Sequence, residues 1–497
     1  MKTKLGISLA FAGLMVLSNC SKTEDTAAGG TTAGQFDEDS SCVANPPTPT
    51  SATSALANGS TLSGKQSSSV LLGTGNTYTI SGVVNFACGT ELKIQSGVTI
   101  KASTSTTSGL VIQRGARINA VGTAASPIVM TSDKTAGSRA PGDWGGLTIQ
   151  GRSVWNQAGN EVTTEFDTGK AGLASGAVTT DNSGTIQYVR IEFAGKKLTT
   201  TKEWNGLSLY AVGSGTTIDH LNVSRGSDDG IEFFGGTVNI KYIISFANGD
   251  DMFDWTNGWT GTIQYGIAYL GNVSTQRDAD SNIMEADNDA TTNGLTPRSA
   301  PIIANTVFAT DAAQNAGATA TAYKNIFRFR VGTYGKIYNS VLDNTRDMKI
   351  AFESTDTITG VTNGDVRAFG LLAARNVAND GTTALTTAND GTFWSAATSA
   401  DESLFMGTGS ATQAGACIKG SDGTGALTSA LAVANKINTD NAATPFEKQA
   451  GCTGGTGQTL PTTNAQSAAT GFTADTTVGF AAGTFSGAWT NISTDGL

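Results

Sequence analysis

Gly226 to Trp255 reads GSDDGIEFFGGTVNIKYIISFANGDDMFDW. Two acidic pairs, Asp228-Asp229 and Asp250-Asp251, each precede a short apolar run, and the second pair starts 22 residues after the first. Such a pattern is either two copies of a carboxylate dyad or the punctuation of a repeating fold. The flanking sequence separates the two readings. IQYVRIEFAG starts at Ile186, IDHLNVSRG at Ile218, IKYIISFANG at Ile240 and IQYGIAYLGN at Ile263. Each has an apolar residue first and an aromatic residue or His third. IIANTVFAT from Ile302 and KIYNSVLDN from Lys336 fit the same mould.

Self-similarity at a period of 20 to 25 residues is the mark of a solenoid. The runs are short, rich in β-branched residues and bounded by Gly, Asn and Asp, so they read as strands. No helical pattern is read between them, which argues against leucine-rich repeats and βαβ units. The expected fold is therefore all-β: a right-handed parallel β-helix whose turns stack about 4.8 Å apart. LKIQSGVTIKA, GLVIQRGARINAVGTAASPIVMTSDK and GDWGGLTIQGRS extend the pattern towards the N-terminus. The reading places the coil at 61–377.

Composition agrees. The 497 residues include 62 Gly and only 14% charged residues, too apolar for disorder and too glycine-rich for helices. A formal net charge of −10 argues against nucleic acid as a partner. The stretch at 378–470 loses the repeat and reads as an irregular, loop-rich cap with one short helix near Leu427 to Ile437. A cap would shield the strand edges of an open coil. Residues 471–497 read as a terminal strand segment.

At the N-terminus, Lys2 and Lys4 precede the apolar LGISLAFAGLMVL of Leu5 to Leu17, too short to span a bilayer as a mature helix. Leu17-Ser18-Asn19-Cys20 resembles a bacterial lipobox, which implies that 1–19 is a lipoprotein signal peptide and that Cys20 is the lipidated (palmitate-bearing) residue. The polar, Gly/Thr-rich stretch after it reads as a flexible tether over 20–60. Four cysteines remain, Cys42, Cys88, Cys417 and Cys452, an even number that suggests disulfides in an exported chain. Three pairings are open; the sequence-local one joins Cys42 to Cys88 and Cys417 to Cys452. Zinc is the weaker rival, since there is no CxxC and a single His.

The segments GTELKIQSGVTIKA, ASPIVMTSDK, GDWGGLTIQGR, GTIQYVRIEFAG and SDDGIEFFGGTVN, with TVGFAAGTFSGAWTNIS near the C-terminus, resemble a group of bacterial exported lipoproteins. The resemblance implies a right-handed parallel β-helix of pectate-lyase-like solenoid architecture on the cell envelope, and Ser21, rather than Asp, after Cys20 adds the expectation of an outer-membrane lipoprotein with a surface-exposed orientation in view. It brings no established activity.

In the 22-residue register Asp228 aligns with Asp250, Asp229 with Asp251, and Glu232 with Asp254. With Ile231 and Phe233 pointing inward, strand alternation turns Glu232 and Asp254 outward into a column that Glu285 and Asp287 extend. Unit charges 4.8 Å apart repel by about 0.9 kcal/mol even in water, so the column needs a partner, either calcium or Arg225, Arg190 or Lys241 in adjacent positions. Asp228, Asp229, Asp250 and Asp251 are candidate Ca²⁺ ligands by their hard oxygen donors, or simply turn-formers that accept backbone N–H bonds. Catalysis is the third reading. Polygalacturonases add a Gly-His-Gly and an Arg-x-Lys to their Asp set, and pectate lyases need Ca²⁺-binding carboxylates and a nearby arginine base, for which Arg328 to Arg330 is the candidate. Here the one His, His220, stands where parallel repeats carry Tyr188, Tyr242 and Tyr265, which reads as packing. Arg328 to Arg330 (RFR) reads as charge partners for the column. The expectation is a non-enzymatic, lipid-anchored β-helix acting in adhesion or surface interaction with a host or surface protein. The alternative is a polysaccharide-binding or polysaccharide-cleaving β-helix.

Overall fold

The structure is a computed structural model that describes residues 38–165, 168–199, 202–271, 281–310, 323–343, 349–375, 394–395, 405–408, 410–414, 456–458, 475–480 and 484–493. Twenty-six strands form one continuous ladder, and the pairings within it are parallel, turn upon turn. The chain is an all-β parallel β-helix.

Each turn contributes to three strand columns. One runs through Leu207–Tyr210, Ile231–Phe234, Phe253–Thr256, Ser281–Ala286 and Tyr323–Phe329. The other two are the first and second halves of longer bent strands, Gly184–Glu192, Thr217–Ser224, Asn239–Phe246, Thr262–Leu270 and Ile302–Thr310. The bend falls on the residue that the pairing skips: Tyr188, His220, Tyr242, Tyr265 and Asn305, with φ between 50° and 59°. A left-handed conformation is unfavourable for bulky side chains. Here it lets the rings stack across turns, Tyr188 on His220 at 4.3 Å, His220 on Tyr242 at 4.5 Å and Tyr242 on Tyr265 at 4.9 Å. His220 is thus a member of an aromatic ladder.

Inside the coil, like stacks on like. Ile186, Ile218, Ile240, Ile263 and Ile303 pair in register and are all buried. Truncating one to Ala would cost about 2–5 kcal/mol. A second apolar layer lies outside the coil: Ile244, Ile267, Val307 and Val341 face away from the interior and are covered by Val478, Phe480, Phe485, Trp489 and Ile492. The reading of 471–497 as a strand is corrected here. Its described residues form a strap with one 3₁₀ turn, Ala488–Thr490. Its backbone carbonyls bond to side-chain amides on the coil. Asn222 Nδ2 donates to the carbonyls of Trp489, Thr490 and Asn491, and Asn305 Nδ2 to that of Thr477 at 2.6 Å.

Three further boundaries move. The ladder continues beyond Val377, because Trp394–Ser395 and Ala411–Ala414 pair with earlier turns. A helix, Thr355–Asn363, interrupts the coil, capped by the Ser354 side chain and ended by Gly364 at φ 82°. The part of the expected tether from Glu38 to Ser60 is fixed on the coil. Asp39 caps the helix Ser40–Ala44, Glu38 pairs with Arg114, and Cys42 is bonded to Cys88. Cys417, Cys452, the helix near Leu427 to Ile437 and most of the expected cap lie outside the described residues, as do Cys20 and the signal segment. Among the described residues no helix is long and apolar enough to cross a membrane.

Candidate functional site

The acidic column forms on the outer face of the strands Ile231–Phe234, Phe253–Thr256 and Ser281–Ala286. Ile231 and Phe233 are fully buried in the core, so alternation puts Glu232 outside, in register with Asp254 and then Glu285 and Arg328. The acidic pairs enter from the turns just before these strands. The structure brings Asp228, Asp229, Asp250 and Asp251 together with the column. Carboxylate oxygens lie within 4.8 Å of one another in the sets Asp228/Asp229/Asp250, Asp229/Glu232/Asp254 and Asp251/Asp254/Glu285.

Two of the four aspartates link turns directly. Asp229 Oδ1 accepts the backbone N–H of Asp251 at 2.8 Å, and Asp251 Oδ1 accepts that of Asn282. Asn282 Oδ1 in turn accepts from Asn325 Nδ2 at 2.8 Å. The acceptors were expected at tight corners within a turn; they bond instead to the next turn of the coil. Asn205 holds the equivalent position one turn earlier, two residues ahead of Leu207 as Asp229 is ahead of Ile231, though its Oδ1 accepts no bond from the next turn. The sequence reading missed it, although Asn205-x-Leu207, Asp229-x-Ile231, Asp251-x-Phe253, Asn282-x-Met284 and Asn325-x-Phe327 share one pattern.

Among the described residues, Arg328 and Arg330 bring positive charge to one end of the column. Arg328 bonds Glu285 at 3.0 Å and holds both oxygens of Glu353 at 3.1 Å. Arg330 holds both oxygens of Asp287, at 2.8 and 2.6 Å, and also bonds Glu285. Of the column and its flanking pairs, these two guanidiniums bond Glu285 and Asp287. Of the other cations expected as partners, Arg190 pairs with Glu192, Lys241 lies on a different column, and Arg225 is buried three residues before Asp228.

Burial, then mutual repulsion, pushes the carboxyls of Asp228, Asp229, Glu232, Asp251 and Glu285 well above the usual range. A carboxyl–carboxyl hydrogen bond to Glu203 adds to the effect at Asp228. Burial and Asp287 bring Asp254 to about 7, even though Arg330 works in the opposite sense. Charge of this density is carried at neutral pH only with bound protons or a cation. All the donors are hard oxygens, the set that calcium takes. They fit such an ion, because Asp254 Oδ1 and Asn205 Oδ1 are enclosed with no hydrogen-bond partner in the protein.

A family of pectate-lyase-like β-helix domains matches residues 64–422, most of the chain. The chain belongs to that family. Among solved structures, the Dettilon tailspike protein is similar to this β-helix domain protein over 64% of this chain and 58% of the tailspike, with 12% identity and a TM-score of 0.24. The match thus spans less than two thirds of the tailspike, and a likeness this slight bears on nothing beyond itself. No curated protein matches the chain significantly.

Proposed function

We propose that the chain is a lipid-anchored β-helix of the cell envelope that interacts with surface polysaccharide by binding, without cleaving it. Membership of a family named for pectate lyase supports a polysaccharide as the ligand class. The absence of cleavage rests on the engagement of the acid–base groups. Asp228, Asp229 and Asp251 are 3–6% exposed, Arg328 and Arg330 are held by carboxylates, and His220 is stacked between two tyrosines. A catalytic acid or base has to reach a proton of its substrate, and these groups face one another.

The anchor rests on Leu17-Ser18-Asn19-Cys20, and the outer membrane is the location that goes with it. Cys20→Ala is expected to move the protein out of the detergent phase; unchanged partitioning would remove the anchor from the account.

One observation favours a second reading, cleavage. Asp254, with its carboxyl near 7, has the proton affinity of a general acid or base at neutral pH. Electrophoresis through gels containing neutral or acidic polysaccharides, with polymer length followed by size exclusion, separates the two. Retardation with unchanged polymer length supports binding. Shortening of the polymer supports cleavage, and migration unaffected by every polymer contradicts both.

A further inference from the structure

We propose that Asp229, Glu232 and Asp254, together with the side-chain amide of Asn205, hold one divalent cation of calcium's size and that this ion clasps three turns of the coil. Of the four aspartates singled out by the sequence only Asp229 belongs to the set; the other ligands come from the outward column and the preceding turn. The proposal does not rest on polysaccharide binding.

The geometry fits. The three carboxylates bring oxygens within 4.8 Å of one another. Calcium binds oxygen at about 2.3–2.6 Å, so ligands on opposite sides of it lie about 5 Å apart. Glu232 and Asp254 are directly paired across adjacent turns, and Asn205 and Asp229 occupy equivalent places one turn apart. An ion among them touches the turns of Asn205, of Asp229 and Glu232, and of Asp254.

A second observation, independent of the acidic residues, points to a ligand. Asn205 is only 2% exposed. Its Nδ2 donates to Glu232 Oε2 at 2.6 Å and to Ser208 Oγ at 3.3 Å, which ties the side chain to a carboxylate of the set. Its Oδ1 is enclosed with no protein donor, as is Asp254 Oδ1. Buried acceptors without donors are uncommon and costly. A cation supplies what both oxygens lack.

The neighbouring acidic sets are already committed. Glu285 is bonded by Arg328 and Arg330, and Asp228 shares a hydrogen bond with Glu203. Among the described residues, Asp229, Glu232 and Asp254 form no ion pair with Lys or Arg. A site of four protein ligands also disfavours magnesium, which keeps several of its waters.

The test uses the mature chain stripped with EDTA and dialysed, titrated with CaCl₂ or MgCl₂ by calorimetry and melted in parallel. A single calcium per chain with a raised melting temperature, and a smaller effect of magnesium, is expected. Asp254→Asn keeps the side-chain shape and removes one charged ligand. It should weaken calcium binding by a factor on the order of 100, yet melt no lower than wild type in EDTA. The order of melting of the two proteins therefore reverses when calcium is added. Glu232→Gln makes the same test should Asp254→Asn fold poorly, and Asn205→Ala should weaken calcium binding with every carboxylate intact. No calcium heat and no melting shift in the wild type would overturn the proposal. So would calcium affinity unchanged in both Asp254→Asn and Glu232→Gln.

Discussion

The backbone N–H of Asp251 donates to Asp229 Oδ1 at 2.8 Å, a bond between residues 22 apart in sequence and neighbours along the coil. It gives the recurring acidic pair a task that needs no substrate. The second Asp of each pair ties its turn to the next. Together with the isoleucine stack inside and the aromatic ladder at the bend, it sets the spacing of the repeat.

The buried charge makes stability depend on pH in a direction opposite to that of ordinary surface carboxylates. Asp254 titrates near 7 in the folded chain and near 4 when unfolded, so the folded state holds a proton that unfolding releases. The stability it contributes is complete below about pH 4 and is lost as pH rises through about 7. In EDTA the melting temperature should fall across that window, and the fall should be smaller for Asp254→Asn.

The Cys42–Cys88 disulfide joins residues 46 apart and fastens the N-terminal helix to the first turns. Closing a loop of that length stabilises a chain by about 3–4 kcal/mol on the entropic account. The Cys42→Ser/Cys88→Ser double variant should show a lowered urea midpoint, and dithiothreitol should lower the wild type alike. Equal midpoints for wild type and variant would mean the bond constrains little.

The strap covers Ile244, Ile267, Val307 and Val341 on the outside of the coil, and Trp489 also packs edge-on against Tyr188 and His220. Trp489→Ala should cost about 3–5 kcal/mol and raise the fluorescence of a hydrophobic dye. Asn222→Ala removes the amide that binds three strap carbonyls and should raise it as well, with the coil's circular dichroism retained.

Much of this was legible in the sequence, and the parts that were not have identifiable causes. Ile218, Ile240 and Ile263 announce the coil because like residues stack when turns repeat. His220 reads correctly as packing because its neighbours in the repeat are tyrosines. Asn205 escaped notice because a long excursion separates it from the preceding turn, and because Asn and Asp differ in charge while sharing the acceptor that the ladder uses. The strap was misread because its side-chain amide partners lie between 172 and 269 residues away, a distance no local pattern crosses. Its one hint was that strands such as Thr262–Leu270 are apolar without alternation, as strands covered on both faces are. The helix Thr355–Asn363 hid behind a threonine-rich sequence of low helix propensity.

The most direct test of the central claim, that the acidic pairs hold the coil and perform no chemistry, is Asp229→Ala, measured for unfolding and for polymer cleavage side by side. The variant leaves the Asp251 N–H without its acceptor, which should cost about 1–3 kcal/mol. The account predicts a lowered urea midpoint and no shortening of pectic, alginate or chondroitin-type polymers by either protein, with or without calcium. Shortening by the wild type that disappears in Asp229→Ala at an unchanged midpoint would contradict it.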